Sequence, residues 1–160
     1  MDVESIFDGW QAAWSGRDPL AFASVCAPDV HYEDPLTAPA LRGLAELGDH
    51  AQKLWKGFPD VRLERAGTRL ADDTFAVAPC RLVGSHQGEL EGLPASGKVI
   101  TAHLLFYCEL DRRAPRLLRV RAFFDAYSIG MELGVFPRRG SVAEKALMVM
   151  RGYGLRLPWP

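Results

Sequence analysis

The spacing of apolar residues changes once along this chain, and this change restricts the possible folds more than any other feature. Up to Gly57, apolar residues recur every three or four positions, as they do on one face of a helix. From Val61 onward they alternate with polar residues, which is typical of strands with one buried face. Helices followed by a run of strands predict an α+β fold, with three N-terminal helices packed on a curved, mostly antiparallel sheet.

Apolar residues at helical spacing predict three helices in the first part of the chain. They cover residues 3–16, 19–26 and 41–57. Strands are predicted at residues 30–34, from residue 61, and at 74–86, 99–110 and 117–127. Tight turns between the long strands predict antiparallel pairing, and Pro79 predicts a bulge or an edge position within its strand.

Composition narrows the class of protein. The 160 residues suffice for one domain with its own core, and a net charge of −1 argues against a general nucleic-acid binder. No apolar run approaches the roughly 20 residues that a membrane span needs, and the N-terminus lacks the pattern of an export signal. Three cysteines in apolar surroundings predict buried free thiols and a cytoplasmic location.

Metal and nucleotide sites are not predicted. The chain has no Cys-x-x-Cys or His-Glu-x-x-His motif, and its four histidines share no ligand spacing. The glycine-flanked segment 84–88 comes after a strand but opens no helix, so it is not expected to bind a phosphate. We therefore expect no metal and no cofactor, which leaves carboxylates and histidines among aromatic residues as candidates for acid–base chemistry.

Asp125 is the leading candidate, because it lies where the last strand runs into a short helical turn. As the residue before that turn it could be only an N-cap. Simple alternation groups it with Arg119 and Arg121, opposite the apolar side of the strand, and this would expose it in a sheet with one solvated face. A curled sheet would instead direct the same face into a cavity. The residues leave both placements open.

Asp34 and His103 are further candidates. Asp34 precedes Pro35, where Asp commonly starts a turn, and His103 lies in an apolar strand, where a histidine is more often a satisfied core residue than a catalyst. The many aromatic residues could form the core or wall an apolar cavity. The residues expected to contact a substrate are Trp10, Trp14, Tyr32, Trp55, Phe58, His86, Tyr107 and Arg121.

The chain changes character after Gly134. Residues 137–160 carry five basic residues and one acid, Glu144, and Ser141 forms a capping box with Glu144 at the start of a helix to about Arg151. The apolar side of this helix predicts packing on its own domain or on a second subunit; a membrane-surface or partner helix is the alternative. We take residues 1–134 as the domain and 135–160 as an extension of the same unit.

Several short segments, taken together and in order, resemble the SnoaL-like branch of the cone-shaped superfamily that includes nuclear transport factor 2, scytalone dehydratase, ketosteroid isomerase and limonene epoxide hydrolase. The segments are residues 14–20 (WSGRDPL), 27–35 (APDVHYEDP), 41–43 (LRG), 57–60 (GFPD), 84–88 (GSHQG), 92–98 (GLPASGK) and 124–134 (FDAYSIGMELG). They span roughly residues 5–134. The ordered set indicates the fold but not the reaction, because this fold serves many functions.

The resemblance implies a deep pocket between the helices and the concave sheet, and a homodimer formed through the sheet. Asp125 falls where SnoaL-like polyketide cyclases keep their catalytic acid/base, and this favours the placement in the pocket. Such cyclases close a ring by an intramolecular aldol reaction without a cofactor. An apolar wall would raise the pKa of Asp125, and Arg121 on the same face would lower it. His103 is the second member implied, as the group that polarises a carbonyl.

Two other members of the superfamily offer alternatives. Ketosteroid isomerases carry their base in a segment similar to residues 33–35, but Trp10 replaces their oxyanion tyrosine, and residues 104–107 lack the acid that gives their second donor. An epoxide hydrolase arrangement would need Asp125, Arg121 and Asp34 around one water.

The sequence thus predicts a cofactor-free cyclase or isomerase that acts on a hydrophobic, carbonyl-bearing molecule. The other possibility is a non-catalytic module that binds an apolar ligand or a partner, with Asp125 only a helix cap that points away from any cavity.

Overall fold

The computed structural model describes residues 3–111 and 113–152. The first three helices agree closely with the prediction, except that the short second one is a 3-10 helix. They are α1 (Val3–Gly16), the 3-10 helix (Pro19–Ser24) and α2 (Gly43–Gly57). Asp18 caps the 3-10 helix, since its Oδ1 accepts a hydrogen bond from the Leu20 amide at 2.9 Å. Two more helices, α3 (Ala126–Leu133) and α4 (Val142–Met150), come after the sheet.

In the described ranges, seven strands form one sheet. They are β1 (Cys26–Glu33), β2 (Leu41–Arg42), β3 (Arg62–Arg65), β4 (Leu70–Ala71), β5 (Phe75–Ser85), β6 (Val99–Leu110) and β7 (Leu117–Phe123). The order is β2-β1-β7-β6-β5-β3, with β4 also paired to β5. Only β1 and β7 pair in parallel among these strands, so the predicted α+β fold with a mostly antiparallel sheet is confirmed.

Two predicted strand boundaries are wrong. Strand β1 begins at Cys26 rather than at residue 30, because the chain stays extended through Pro28. Strand β7 ends at Phe123 rather than at residue 127, because Asp125 already caps α3.

Pro79 causes no bulge in β5, which stays in register with β6 on both sides of it. On its other side, β5 pairs with β4 at residues 76–77 and with β3 at residues 80–83. Pro79 therefore falls in the gap between these two partners. The Pro79 carbonyl accepts a hydrogen bond from the Ala66 amide at 3.0 Å. Since the N–H and C=O groups of one strand residue point to the same side, an N–H at residue 79 would also point into this gap. Proline is tolerated here because no strand needs its donor.

The core lies between the helices and one face of the sheet. At its centre Trp10 is fully buried, and its ring contacts the rings of Trp14, Phe22, Tyr32 and Phe106 at centroid distances of 5.5–6.2 Å. Aromatic pairs at such distances add to the stability gained by burial. The core therefore joins α1, the 3-10 helix, β1 and β6.

The three cysteines are free and buried, as predicted. Burial raises the pKa of the Cys26 thiol to about 12, that of Cys80 to about 11 and that of Cys108 well above its usual value, although Arg116 and Arg69 lower the first two slightly. A thiol reacts as its thiolate, so these residues are core residues and not nucleophiles.

Helix α4 begins as predicted, since Ser141 Oγ accepts a hydrogen bond from the Glu144 amide at 3.1 Å. None of its residues is buried, and Val142 and Met150 are 83% and 77% exposed. Its apolar side is therefore not packed on its own domain, and the predicted contact with a second subunit stays a prediction, as does the domain division at residue 134. Residues 153–160, with Arg156, lie outside the described residues. Within the described residues, no helix has the length and apolar character to cross a membrane.

Candidate active site

A cavity of about 360 Å³ lies between the inner face of the sheet and the helices. Its wall combines residues from β5 and β6, α1, α2, α3 and the loops beside them. They are Trp14, Asp34, Leu36, Leu54, Phe58, Leu82, Leu90, Glu91, Leu93, Ile100, Ala102, Leu104, Phe106, Phe124, Ala126, Ile129, Gly130, Leu133, Val135 and Phe136. Only Asp34 and Glu91 of these carry a charge. The cavity therefore suits an apolar ligand that meets a carboxylate.

The C-terminal extension begins within this wall. The amides of Val135 and Phe136 both donate to the Gly130 carbonyl, at 2.8 and 3.2 Å, which folds the chain back over α3. A Cβ on Gly130 would lie 2.4 Å from the Phe136 ring, so glycine allows the close approach. The Tyr127 ring stacks on the Phe136 ring, with 5.2 Å between the ring centroids. These contacts hold Phe136 beside α3 in the cavity wall.

Asp34 is the buried acid of the cavity. Its side chain is 4% exposed, and both oxygens are hydrogen bonded. Oδ1 accepts from the amides of Leu36 and Thr37 at 2.7 and 3.0 Å. Oδ2 accepts from the Tyr32 hydroxyl at 2.9 Å and lies 3.0 Å from His50 Nε2. The turn predicted at Asp34 is present, and the same carboxylate also joins β1 to α2.

These contacts decide the charge of Asp34. Burial raises its pKa, but hydrogen bonds from His50, the Leu36 amide and Tyr32 outweigh burial, so the pKa lies below its ordinary value. The carboxylate is thus ionised at neutral pH. Burial, and then the charge of Asp34, raise the pKa of Tyr32 well above its ordinary value, so its hydroxyl stays protonated and donates.

His50 is the residue of this site that no sequence motif indicated. It lies in α2, and its ring contacts those of Tyr32 and Trp14 at centroid distances of 5.5 and 6.3 Å. It lines a groove of about 410 Å³ that shares Leu36, Leu54, Leu90 and Glu91 with the cavity wall. His50 therefore lines the groove next to the cavity but is not itself part of the cavity wall, whereas its partner Asp34 is.

Most of the chain matches one known protein family. Residues 4–128 match the sequence profile of the SnoaL-like polyketide cyclases. The chain belongs to this family. No protein with a curated description matches the sequence.

Solved structures agree with this SnoaL-like assignment. AclR from Streptomyces galilaeus, a proposed hydroxylase, is similar with a TM-score of 0.72 and 18% identity, over 93% of this chain and 91% of that one. IdmH from Streptomyces antibioticus, a proposed polyketide cyclase, has a TM-score of 0.71 and 18% identity over 84% and 99%. TsrD from Streptomyces laurentii has a TM-score of 0.72 and 19% identity over 84% and 96%. At these identities the likeness establishes the fold alone.

The family resemblance placed Asp125 in the pocket, and the structure corrects this placement. Phe124 and Ala126 line the cavity, whereas Asp125 between them is exposed. Its Oδ1 accepts from the Ser128 amide at 3.0 Å and its Oδ2 from the Ser128 hydroxyl at 2.5 Å, so it is the N-cap of α3. These hydrogen bonds lower the pKa of Asp125, and it is therefore a carboxylate in solvent, not a raised-pKa acid.

Three other predicted site residues lie on the outer face of the sheet, away from the cavity. His103 is exposed and pairs across the strands with Arg81. Tyr107 stacks on Phe75 at 5.5 Å, and Arg121 forms an ion pair with Glu33. Side chains alternate along a strand, and these odd-numbered positions face outward while Ala102, Leu104 and Phe106 face the cavity.

Of the remaining residues predicted to contact a substrate, some line the cavity and the others pack behind the residues that line it. Trp14 and Phe58 line the cavity. Trp10, Tyr32 and Trp55 lie behind the wall; Trp55 Nε1 donates to the Trp14 carbonyl at 2.8 Å. His86 is fully buried against Phe58, and its Nδ1 accepts from the Ser96 amide at 3.2 Å. These four residues position the wall and do not form it.

The structure does not contain the ketosteroid isomerase or the epoxide hydrolase arrangement that the sequence analysis gave as alternatives. Trp10, at the position of the ketosteroid isomerase tyrosine, is not part of the cavity wall. The epoxide hydrolase trio is not brought together, because Arg121 is exposed on the outer face of β7 and Asp125 is the exposed cap of α3, whereas Asp34 lines the cavity. In the described ranges, no three potential metal ligands cluster.

Proposed function

We propose that the protein is a cofactor-independent enzyme of the cyclase or isomerase type, which moves a proton on a hydrophobic, carbonyl-bearing small molecule bound in the cavity. One observation carries the proposal: Asp34, an ionised and almost fully buried carboxylate hydrogen bonded to His50, lies in the wall of a cavity whose other residues, apart from Glu91, are uncharged. Electrostatic groups act most strongly where water is excluded. The pair Asp34–His50 takes the role that the family resemblance implied for Asp125 and His103.

The reaction that fits this site is an intramolecular aldol addition. A base removes a proton from the carbon next to one carbonyl, and the electron pair moves onto the carbonyl oxygen. The enolate carbon then bonds to a second carbonyl carbon of the same molecule, and the resulting alkoxide takes the proton back. Nothing is oxidised or reduced, so the step needs only one acid–base group and a dry, shaped cavity. The family name and the proposed cyclase IdmH support this class of reaction.

The alternative is a non-catalytic module that binds an apolar ligand. The capping role of Asp125 is the placement that this alternative expects. The buried pair favours the enzyme, because a carboxylate in a cavity wall costs desolvation energy that a binding pocket for apolar ligands does not need.

Hydrogen–deuterium exchange of 2-tetralone, an apolar ketone with acidic protons beside its carbonyl, tests the proposal without knowledge of the native substrate. In D₂O the wild type should accelerate exchange by about 100-fold or more over buffer, measured by proton NMR. Asp34→Asn should lose this acceleration. Asp125→Asn should keep it, because Asn caps a helix as well as Asp does.

Two results would contradict the proposal. Retained exchange in Asp34→Asn, with loss in Asp125→Asn, would return the acid–base role to Asp125. A wild type that binds 2-tetralone but does not accelerate exchange would establish the binding module.

We also propose that the protein is a homodimer formed through the outer face of the sheet. Large apolar residues remain exposed there, by 38–49%: Phe75, Leu105, Tyr107 and Phe123. Leu105 and Phe123 are cross-strand partners, so the patch is continuous between β6 and β7. The three free thiols fit a reducing, cytoplasmic location for this dimer.

Sedimentation equilibrium tests the interface. The wild type should sediment as a dimer and Leu105→Glu as a folded monomer, because the charge would be buried without a partner. Gln52→Glu adds the same charge at an exposed position of α2, away from the sheet face, and should remain a dimer. A monomeric wild type contradicts the interface.

A further inference from the structure

We infer that His50 is the group that exchanges a proton with the substrate, and that Asp34 and Tyr32 are positioning residues that hold its ring. This assignment rests on the proposed function and divides the roles within the buried pair. It makes the site a histidine–carboxylate dyad built between α2 and the residue that follows β1, with the carboxylate in the cavity wall and the histidine in the adjoining groove.

The carboxylate of Asp34 has no free position for a substrate proton. A carboxylate offers about four acceptor positions, two on each oxygen. Two backbone amides occupy those of Oδ1, and Tyr32 and His50 occupy those of Oδ2. The same contacts lower the pKa of Asp34, which makes it a weak base near neutral pH. Asp34 is thus suited to orient a neighbour and poorly suited to abstract a proton itself.

The ionised state of Asp34 fixes the direction of its bond to His50. An ionised carboxylate can only accept, so His50 Nε2 carries the hydrogen and donates to Oδ2 at 3.0 Å. In the neutral ring Nδ1 is then the acceptor. No residue in the described ranges forms a hydrogen bond with Nδ1, so this nitrogen remains available to a ligand.

Packing restrains the ring in this orientation. Tyr32 contacts one side of the imidazole and donates to the same Asp34 oxygen, and the Trp14 ring meets the imidazole edge-on, at an interplanar angle of 89°. Trp14 is itself part of the cavity wall. The ring is 22% exposed on the groove side, while Asp34 behind it is 4% exposed. A ligand that enters through the groove would therefore meet His50 before Asp34.

The other charged groups near this ring are engaged elsewhere. From α2 itself, Glu46 accepts a hydrogen bond from the Arg42 amide at 2.7 Å, and Lys53 pairs with Glu91 of the β5–β6 loop at 3.7 Å. Strand β1 contributes Tyr32, the turn after it contributes Asp34, and α1 contributes the uncharged Trp14. Asp34 is thus the only one of these groups bonded to the imidazole, and its charge would stabilise the imidazolium that forms when Nδ1 takes a proton.

In the aldol step, His50 Nδ1 takes the proton from the carbon beside the carbonyl as the enolate forms. The carbon–carbon bond then forms, and the imidazolium returns the same proton to the new alkoxide. His50 is thus neutral again at the end of each turnover, and Asp34 stays ionised throughout.

Exchange of 2-tetralone with His50 variants tests this assignment. His50→Gln keeps an N–H donor for Asp34 but has no basic nitrogen, so it should fold normally and lose about 10²–10⁴-fold of the exchange rate. His50→Ala should lose as much, and added imidazole should restore part of the rate, since it can occupy the vacated space. A rate in His50→Gln within about twofold of the wild type, with exchange lost in Asp34→Asn, would overturn the assignment while leaving the proposed function intact.

A spectroscopic measurement tests the positioning role of Asp34 separately from activity. In ¹⁵N-histidine-labelled wild type, the nitrogen shifts of neutral His50 should show the hydrogen on Nε2. In Asp34→Asn the amide can donate as well as accept, and the hydrogen should move in part to Nδ1, as a wrong tautomer. A merely structural Asp34 would not change the tautomer. A hydrogen on Nδ1 in the wild type would overturn the assignment, and a wild type without any exchange activity would overturn the proposed function together with it.

Discussion

An Ala102→Phe variant should fold and no longer bind an apolar ligand. Ala102 lies on the inner face of β6, opposite Leu82 of β5, and both residues line the cavity. A phenyl ring at this position would occupy the space that a ligand needs, and the open cavity can take it without displacing the core. We expect the affinity for 2-tetralone or for a hydrophobic dye to fall by about 100-fold or more, equivalent to roughly 3 kcal/mol, in a fluorescence or NMR titration.

The matched control is Thr101→Phe on the same strand. Thr101 is exposed on the opposite face, so the same ring there adds apolar surface but leaves the cavity open. Its ligand affinity should equal that of the wild type. Undiminished binding in folded Ala102→Phe would show that ligands bind somewhere other than this cavity.

Loss of the Asp34 carboxylate should have the second large effect, this time on stability. Asp34→Ala would leave Tyr32, His50 and two backbone amides without their acceptor. Hydrogen bonds to a charged group contribute about 1.5–3 kcal/mol each, and water from the groove would replace some of them, so we expect the free energy of unfolding to fall by roughly 3 kcal/mol. Asp34→Asn should lose less, because its amide oxygen still accepts. Urea denaturation at pH 7 measures both.

The pH dependence of stability gives an independent check. The pKa of Asp34 is lower in the folded protein than its ordinary value near 3.8. The folded state therefore favours the charged form, and the stability this contributes is present above about pH 4 and is lost as pH falls through the folded pKa. The difference in unfolding free energy between wild type and Asp34→Asn should shrink over this acidic range. A difference that stays constant down to about pH 2 would contradict the lowered pKa.

The fold could be predicted from the sequence because its signals are local. The switch in apolar spacing and the capping box at Ser141 each act over a few residues, and the helices and long strands lie close to where these signals place them. Simple alternation also allowed an exposed Asp125 beside an exposed Arg121, and both side chains are exposed in the structure. The family resemblance moved Asp125 into the pocket because it aligns positions along the chain, and a side chain between two wall residues can still point away from the wall.

The candidate site depended on a contact that no local signal contains. Tyr32 near the end of β1 and Asp34 just after it are only two residues apart, so their hydrogen bond is a local contact. His50 approaches them only because α2 crosses over β1, sixteen residues later in the chain. Its position beside the apolar stripe of α2 was visible, but its partner was not.

The family profile ends at residue 128, and residues beyond this point build a substantial part of the cavity wall. The cavity wall includes three residues of α3 and two residues that follow it: Ile129, Gly130, Leu133, Val135 and Phe136. Two proteins that both match this profile over its whole length can therefore have cavities of different shape and bind ligands of different shape. Membership of the family therefore does not fix the shape of the cavity, because the profile leaves out residues that line it.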